Sequence, residues 1–388
     1  MIVSKLPDIG TTIFTTMSSL AQETGAINLG QGFPDFEPDP ALLDLVTSAM
    51  QQGFNQYPAM PGYLPLRRII AGKVQETYGR TYDPDTEITV TSGATQALMT
   101  AILASVHPGD EVIVIEPCYD AYAPAIRLAG GSPIYVPMHA PTEASPGYSI
   151  DWGRVRGSIT SKTRLLIVNS PHNPTGSILS GHDLDALEEI VERHDLLLLS
   201  DEVYEHLVFD GLVHQSLARR PALAERAFIV SSFGKTFHVT GWKVGYCCAP
   251  AALMREFRKV HQFMVFTVSS PFQVALAGFL THPEHYLGLP AFFKEKRDLL
   301  AAGLASTRLK VLPAPGTYFM LADYSEISDL SEADFSIWLT RTFGVAVIPV
   351  SAFYADPSAA ESNHRLVRFC FAKKEATLQE AVSRLTEL

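Results

Sequence analysis

The sequence predicts an α/β protein with a mainly parallel sheet covered by helices on both faces, followed by a smaller α+β unit. Three observations carry this. Short apolar runs, most without polar alternation, recur between Ile88 and Val230, as strands buried on both faces require. Helix-like stretches separate them, and such alternation builds parallel strands through right-handed crossovers. The last third then changes character, with a long helix-like stretch and fewer, more widely spaced strand runs.

The first 40 residues fit neither pattern and are expected to pack on the second unit. From Pro40, apolar positions at Leu42, Leu45, Val46 and Ala49 predict a helix, and a second spans Leu64–Tyr78. Strands are expected at Ile88–Thr91 and at residues 112–115, 165–168, 196–199 and 228–230. Helices are expected between them at 94–106 and 183–194, the latter opened by Ser180 and Gly181. Beyond these come a helix at 290–305, a helix at 335–343 and strand-like runs at 318–322, 345–350 and 366–371. The expected division is a terminal arm at 1–40, a large unit at 41–285 and a small unit at 286–388.

Composition narrows the function class. With 388 residues, 47% hydrophobic and 18% charged, the chain can bury a large core. A net charge of -11 argues against a main task of holding a nucleic-acid backbone or an anionic membrane. Four irregularly spaced cysteines form neither a disulfide framework nor a paired zinc site. The N-terminus lacks a secretory h-region and no apolar run approaches about 20 residues, so a cytoplasmic chain is expected.

Several chemical signatures are missing. Gly30-Gln31-Gly32 is followed by Asp35 where a dinucleotide fingerprint needs its third glycine, and there is no GxxxxGK[ST], GxSxG or HExxH. What remains is a series of polar residues, each just after a predicted strand. Thr91-Ser92-Gly93-Ala94-Thr95 joins a strand to a helix. Asn169 and Asn173 lie in VNSPHNPTG, Asp201 and Tyr204 follow four leucines in LLLLSDEVYEHL, and Lys235 lies in SSFGKTFHVTGWKVGY. Open α/β sheets place ligands beyond the carboxyl ends of their strands, so these residues are expected on one edge.

In order and spacing, NLGQGFPDF, NQYPAMPGYLPLR, TSGATQAL, EPCYDAY, NSPHNPTG, SDEVYEHL, SSFGKTFHVTGWKVGY and RFCFAKKEATL resemble the class I and II aminotransferases, and within them the kynurenine/glutamine transaminase and bacterial methionine aminotransferase subgroups. The resemblance implies the aspartate-aminotransferase fold, with a seven-stranded sheet in its large domain, and pyridoxal 5'-phosphate as cofactor. Lys235 would bind the cofactor aldehyde as an imine and then shuttle the substrate Cα proton. Asp201 would face the protonated ring nitrogen, Asn173 and Tyr204 the phenolic oxygen, and Tyr119 and Val203 the two ring faces. The phosphate would sit on Gly93, Ala94 and Thr95 at a helix start, with Ser232, Lys243 and, from the neighbouring subunit of a homodimer, Tyr57.

By the same resemblance Arg368 would clamp the substrate α-carboxylate, assisted by Asn169, Asn173 and Gly32. Arg365, near the start of the same strand and expected on the same side, is the second choice. Ile13, Phe14, Phe33, Tyr63, Phe263, Phe266 and Phe353 are offered as apolar walls. A Tyr often stands in this subgroup where Thr95 stands here. Methionine and aromatic amino acids are the expected donors and a 2-oxo acid the acceptor. The alternatives are a cysteine-conjugate β-lyase on the same scaffold and a noncatalytic regulatory module.

Overall fold

The computed structural model describes residues 2–388. Seven strands form the large sheet: β1 (Ile88–Thr91), β2 (Glu111–Glu116), β3 (Ser132–Pro137), β4 (Thr163–Asn169), β5 (Leu197–Asp201), β6 (Ala227–Ser232) and β7 (Gly245–Cys248). Their spatial order is β1-β7-β6-β5-β4-β2-β3. All pairings are parallel except those of β7, which runs against both β1 and β6.

The unbroken apolar runs have the expected cause. Successive strand side chains point to opposite faces, and here each face has its own core. Val112, Val114, Leu165, Ile167, Leu199, Phe228 and Val230 pack on one side, against the helices Gly93–Ser105 and Ala251–Met264. Ile113, Ile115, Leu166, Val168, Leu198 and Ile229 pack on the other with Leu184, Leu187 and Ile190 of the helix Gly181–Arg193. That helix opens on a capping box between Ser180 and Asp183, which satisfies two otherwise unpaired N–H groups.

A second, wholly antiparallel sheet follows, with β8 (Lys310–Val311), β9 (Phe319–Asp323), β10 (Ile348–Pro349) and β11 (Leu366–Cys370) in the order β10-β11-β9-β8. The helices Leu289–Leu304, Glu332–Phe343 and Glu375–Leu385 accompany it. The single strand expected at 345–350 is two: Val345–Ala346 pairs in parallel with Ile27–Asn28, and Ile348–Pro349 joins β11. The helix Ile13–Thr24 contributes Met17 and Leu20 to a small core with Ile348 and Phe353. The chain ends are therefore knitted together, which the composition of either end alone does not show.

Candidate active site

The carboxyl ends of β4, β5 and β6 deliver Asn169, Asp201 and Ser232 to one rim of the large sheet, and β1 runs through Ser92 into the helix that begins at Gly93. Asn169 and Asp201 are register partners. A cavity of about 370 Å³ opens there, within the range of small-molecule sites. Gly32, Gly93, Ala94, Thr95, Tyr119, Asn169, Asn173, Asp201, Val203, Tyr204, Ser232, Lys235, Lys243 and Arg368 all line it. Sequence positions spread over more than three hundred residues thus meet in one space.

Lys235 lies in the short helix Phe233–Thr236 directly after β6. Its Nζ donates to the Gly32 carbonyl at 2.9 Å and to the Tyr318 hydroxyl at 2.8 Å. Burial lowers its pKa to about 8, opposed by Cys370 and Asp201 and reinforced by Arg368 and Lys243. Of the two cations, Arg368 acts more strongly than Lys243.

Asp201 ends β5, 4% exposed. Burial pushes its carboxyl up to about 6, although it accepts a 2.7 Å hydrogen bond from Tyr122 and one from the Val203 N–H. Among the described residues it forms no salt bridge. A buried carboxylate without a cation is costly. Asn169 fixes the neighbouring backbone, donating to the Asp201 carbonyl at 2.8 Å and accepting from the Asn173 N–H at 2.8 Å.

The helix Gly93–Ser105 starts at the cavity, and its first-turn N–H groups have no intrahelical acceptor. Gly93 sits at φ +69°, and a Cβ there would lie 3.5 Å from the Lys243 Nζ. One ammonium and one helix N-terminus therefore converge, which is an anion-binding arrangement.

Arg368 occupies β11, 1% exposed. It donates to Asn173 Oδ1 at 2.5 Å and to the Gly30 carbonyl at 2.9 Å, while its Nε has no partner. Phe319, Phe353 and Phe14 surround the guanidinium at 3.8, 4.9 and 5.4 Å from their ring centroids. Burial draws its pKa down to about 10, which leaves it charged at neutral pH. It meets no carboxylate within salt-bridge distance among the described residues, so no ion pair within the chain neutralises it.

Other expectations need correction. Arg365 does not share the Arg368 face: it precedes β11 at φ +58° and pairs with Asp329 at 2.9 Å on the surface. Of the proposed walls, Phe14 and Phe33 line the cavity, whereas Phe353 lies behind Arg368 and Ile13 joins the small core beside it. Tyr63 packs against Phe54, and Phe263 and Phe266 are exposed near the end of the helix Ala251–Met264. Tyr57 is 83% exposed against Phe266, outside its own chain's cavity. The residue reading missed Tyr122, Tyr318 and Asp120, the last on the cavity wall. Tyr122 and Asp120 lie in the EPCYDAY motif, whereas Tyr318 reads as one more apolar strand residue.

The profile of the family described as aminotransferase class I and II matches residues 24–385. The chain belongs to that family. This aminotransferase is 50% identical over 386 residues to the methionine aminotransferase of Escherichia coli, covering 99% of this chain and 98% of the relative. It is 35% identical to kynurenine–oxoglutarate transaminase 1 of Rattus norvegicus, over 98% and 96% of the two chains. The solved structure of N-succinyldiaminopimelate aminotransferase from Mycobacterium tuberculosis superposes with a TM-score of 0.94 at 42% identity, covering all of both chains.

Like its family, the aminotransferase has the aspartate-aminotransferase fold and depends on pyridoxal 5'-phosphate. The residues present fit that group. Asp201 is buried without a salt bridge, the Gly93 helix start and Lys243 converge as an anion-binding arrangement, and Lys235 supplies a buried amine of lowered pKa to the same cavity. No helix among the described residues is long and apolar enough to cross a membrane.

Proposed function

We propose that this aminotransferase moves the α-amino group of methionine or an aromatic amino acid to a 2-oxo acid. The observation that carries the side-chain preference is the charge inventory of the cavity. Its lining holds three cations among the described residues, Lys235, Lys243 and Arg368, and each has a task. No fourth is left for a distal carboxylate, and Asp120 on the wall would repel one. Phe14, Phe33 and Tyr119 offer surfaces that favour a thioether or an aromatic ring. The E. coli relative's name points the same way.

Pyridoxal phosphate, when bound, supplies an aldehyde for the amine and an electron-withdrawing ring that stabilises negative charge at the substrate Cα. Lys235 is the amine that anchors it and the base that carries the Cα proton; its pKa of about 8 puts a usable fraction in the neutral form near pH 7. Asp201 would hold a proton on the ring nitrogen. Asn173 and Tyr204 would hold the ring's phenolic oxygen, and Tyr119 and Val203 would hold the ring itself. Gly93, Ala94, Thr95, Ser232 and Lys243 would hold the phosphate. Arg368 takes the α-carboxylate in a bidentate fork, with Asn169, Asn173 and Gly32 as its neighbours.

We further infer a cytoplasmic homodimer in which Tyr57 of the partner subunit completes the phosphate site. Its exposed ring beside Phe266 and the four buried, unpaired cysteines support this. The terminal arm at 1–40 we group with the small unit at 286–388, on the strength of the Ile27–Asn28 pairing with Val345–Ala346. The decisive experiment is half-transamination by a panel of donors, followed as loss of the protein-bound cofactor's visible absorbance. Methionine and phenylalanine should react fastest; a preference for glutamate or N-succinyldiaminopimelate would overturn the side-chain assignment.

A further inference from the structure

The Lys235 ammonium has a built receiving site that the cofactor chemistry does not account for. Its two hydrogen-bond acceptors are the Gly32 carbonyl and the Tyr318 hydroxyl, and the Tyr318 hydroxyl itself donates to the same carbonyl at 2.5 Å. The three groups close a triangle. Tyr318 is 1% exposed and held edge-on by Tyr204, with ring centroids 5.1 Å apart. Gly32 is packed so closely that a Cβ there would lie 2.8 Å from the Phe319 ring. Neither acceptor can retreat without disturbing the core, so the lysine amine is given one position.

That position is tied to the carboxylate clamp. Tyr318 stands immediately before β9, whose first residue, Phe319, lies under the Arg368 guanidinium at 3.8 Å. Gly32 stands two residues beyond Gly30, whose carbonyl accepts from Arg368. The segment 30–35 is fastened to the small unit again by Lys373 on the Phe33 carbonyl and by the Lys374 N–H and Thr377 hydroxyl on Asp35. The same two stretches of backbone thus hold both Lys235 and Arg368.

We propose that Tyr318 is a positioning residue for Lys235: its hydroxyl, braced on the Gly32 carbonyl, receives the lysine amine whenever that amine is free of the cofactor and stabilises its charged form. This rests on the assignment of Lys235 as the cofactor lysine. The role has a clear chemical use. The released amine is directed to one place beside the Arg368 frame and remains protonated enough to return a proton. The other charged or titratable groups around the amine are Asp201 at the end of β5, Cys370 and Arg368 on β11, Lys243 and Tyr204. Burial, Arg368 and Lys243 act against the charge, so hydrogen-bond acceptors on the ammonium matter.

The test uses the full-length enzyme saturated with pyridoxamine 5'-phosphate, which leaves the lysine amine free. Acetylation of Lys235 by trace acetic anhydride, quantified by peptide mass spectrometry over about pH 6 to 10, gives the titration midpoint of that amine. The wild type should titrate below the ordinary lysine value of about 10.4. Tyr318→Phe should move the midpoint down by about one unit, the effect of losing one hydrogen bond to a charged group. Exposed Lys162 in the same digest reports on the reagent and should label identically in both proteins. If Tyr318→Phe does not fold, 3-fluorotyrosine at position 318, a weaker acceptor with the ring retained, should give a smaller shift in the same direction. An unmoved midpoint in the folded protein overturns the proposal. Borohydride trapping of pyridoxal phosphate on the Lys235 peptide is run in parallel; failure there overturns the lysine assignment instead.

Discussion

The Tyr122 hydroxyl donates to the Asp201 carboxylate across 2.7 Å, with both groups buried. This is the strongest stabilising contact of a carboxylate that burial otherwise disfavours. Tyr122→Phe should therefore push the Asp201 pKa above its value of about 6 and weaken pyridoxal phosphate binding roughly tenfold, as loss of a hydrogen bond to a charged group does. Equilibrium titration of the cofactor-free protein measures this; unchanged affinity would refute it.

The same burial makes Asp201 a stability cost. An aspartate raised from about 3.9 unfolded to about 6 folded opposes folding by about 3 kcal/mol once it is ionised. The cost is absent below about pH 4, grows between pH 4 and 6 and is complete above that. Asp201→Asn should thus raise the thermal midpoint of the cofactor-free protein at pH 8, with the gain vanishing at pH 4, while abolishing useful cofactor binding. Thermal melts at the two pH values decide it.

Glu205 shows the opposite sign. Burial alone would raise it, but Lys73 at 2.6 Å, His206 and the Ser231 hydroxyl prevail and hold its carboxyl well below the ordinary range. Tyr78 and Tyr246 donate to it as well. Its contribution is present above the unfolded glutamate pKa and is lost as pH falls through the folded value. Glu205→Ala, which strands the Lys73 ammonium, should cost about 3–5 kcal/mol in denaturant titrations at pH 7.

Arg368→Lys keeps a charge but loses the planar fork. KM for amino donor and oxo acid should both rise about ten- to a hundredfold, with kcat changed less. A selective effect on one substrate would show that Arg368 binds something other than the shared carboxylate.

The assignment of Tyr57 to the neighbouring subunit is tested by complementation. Mixed dimers of Lys235→Ala and Tyr57→Ala chains contain one site with both native residues if Tyr57 acts across the interface. Unfolding and refolding the two proteins together should then recover activity that neither shows alone. No recovery would place Tyr57 in its own chain's chemistry or outside it.

Much of this was written locally. The run of leucines into Asp201, the glycine turn at Gly93 and the lysine after β6 are neighbours in sequence of the strands that carry them, so strand pattern and turn chemistry were enough to place them on one edge. Arg365 could not be separated from Arg368 in that way, because a left-handed backbone at Arg365 turns it toward Asp329 before the strand begins.

The sequence by itself determined the two-sided sheet, the order of its elements and the residues at its carboxyl edge, since burial on both faces and helix capping are near-neighbour effects. Only the tertiary structure decided which groups answer them. Tyr122 is paired with Asp201 from 79 positions away, and Gly32 and Tyr318 with Lys235 from 203 and 83. A hydroxyl or a carbonyl carries no mark in the chain of the distant charge it will meet. That partner is set by the packing of two sheets and the joining of the chain's two ends.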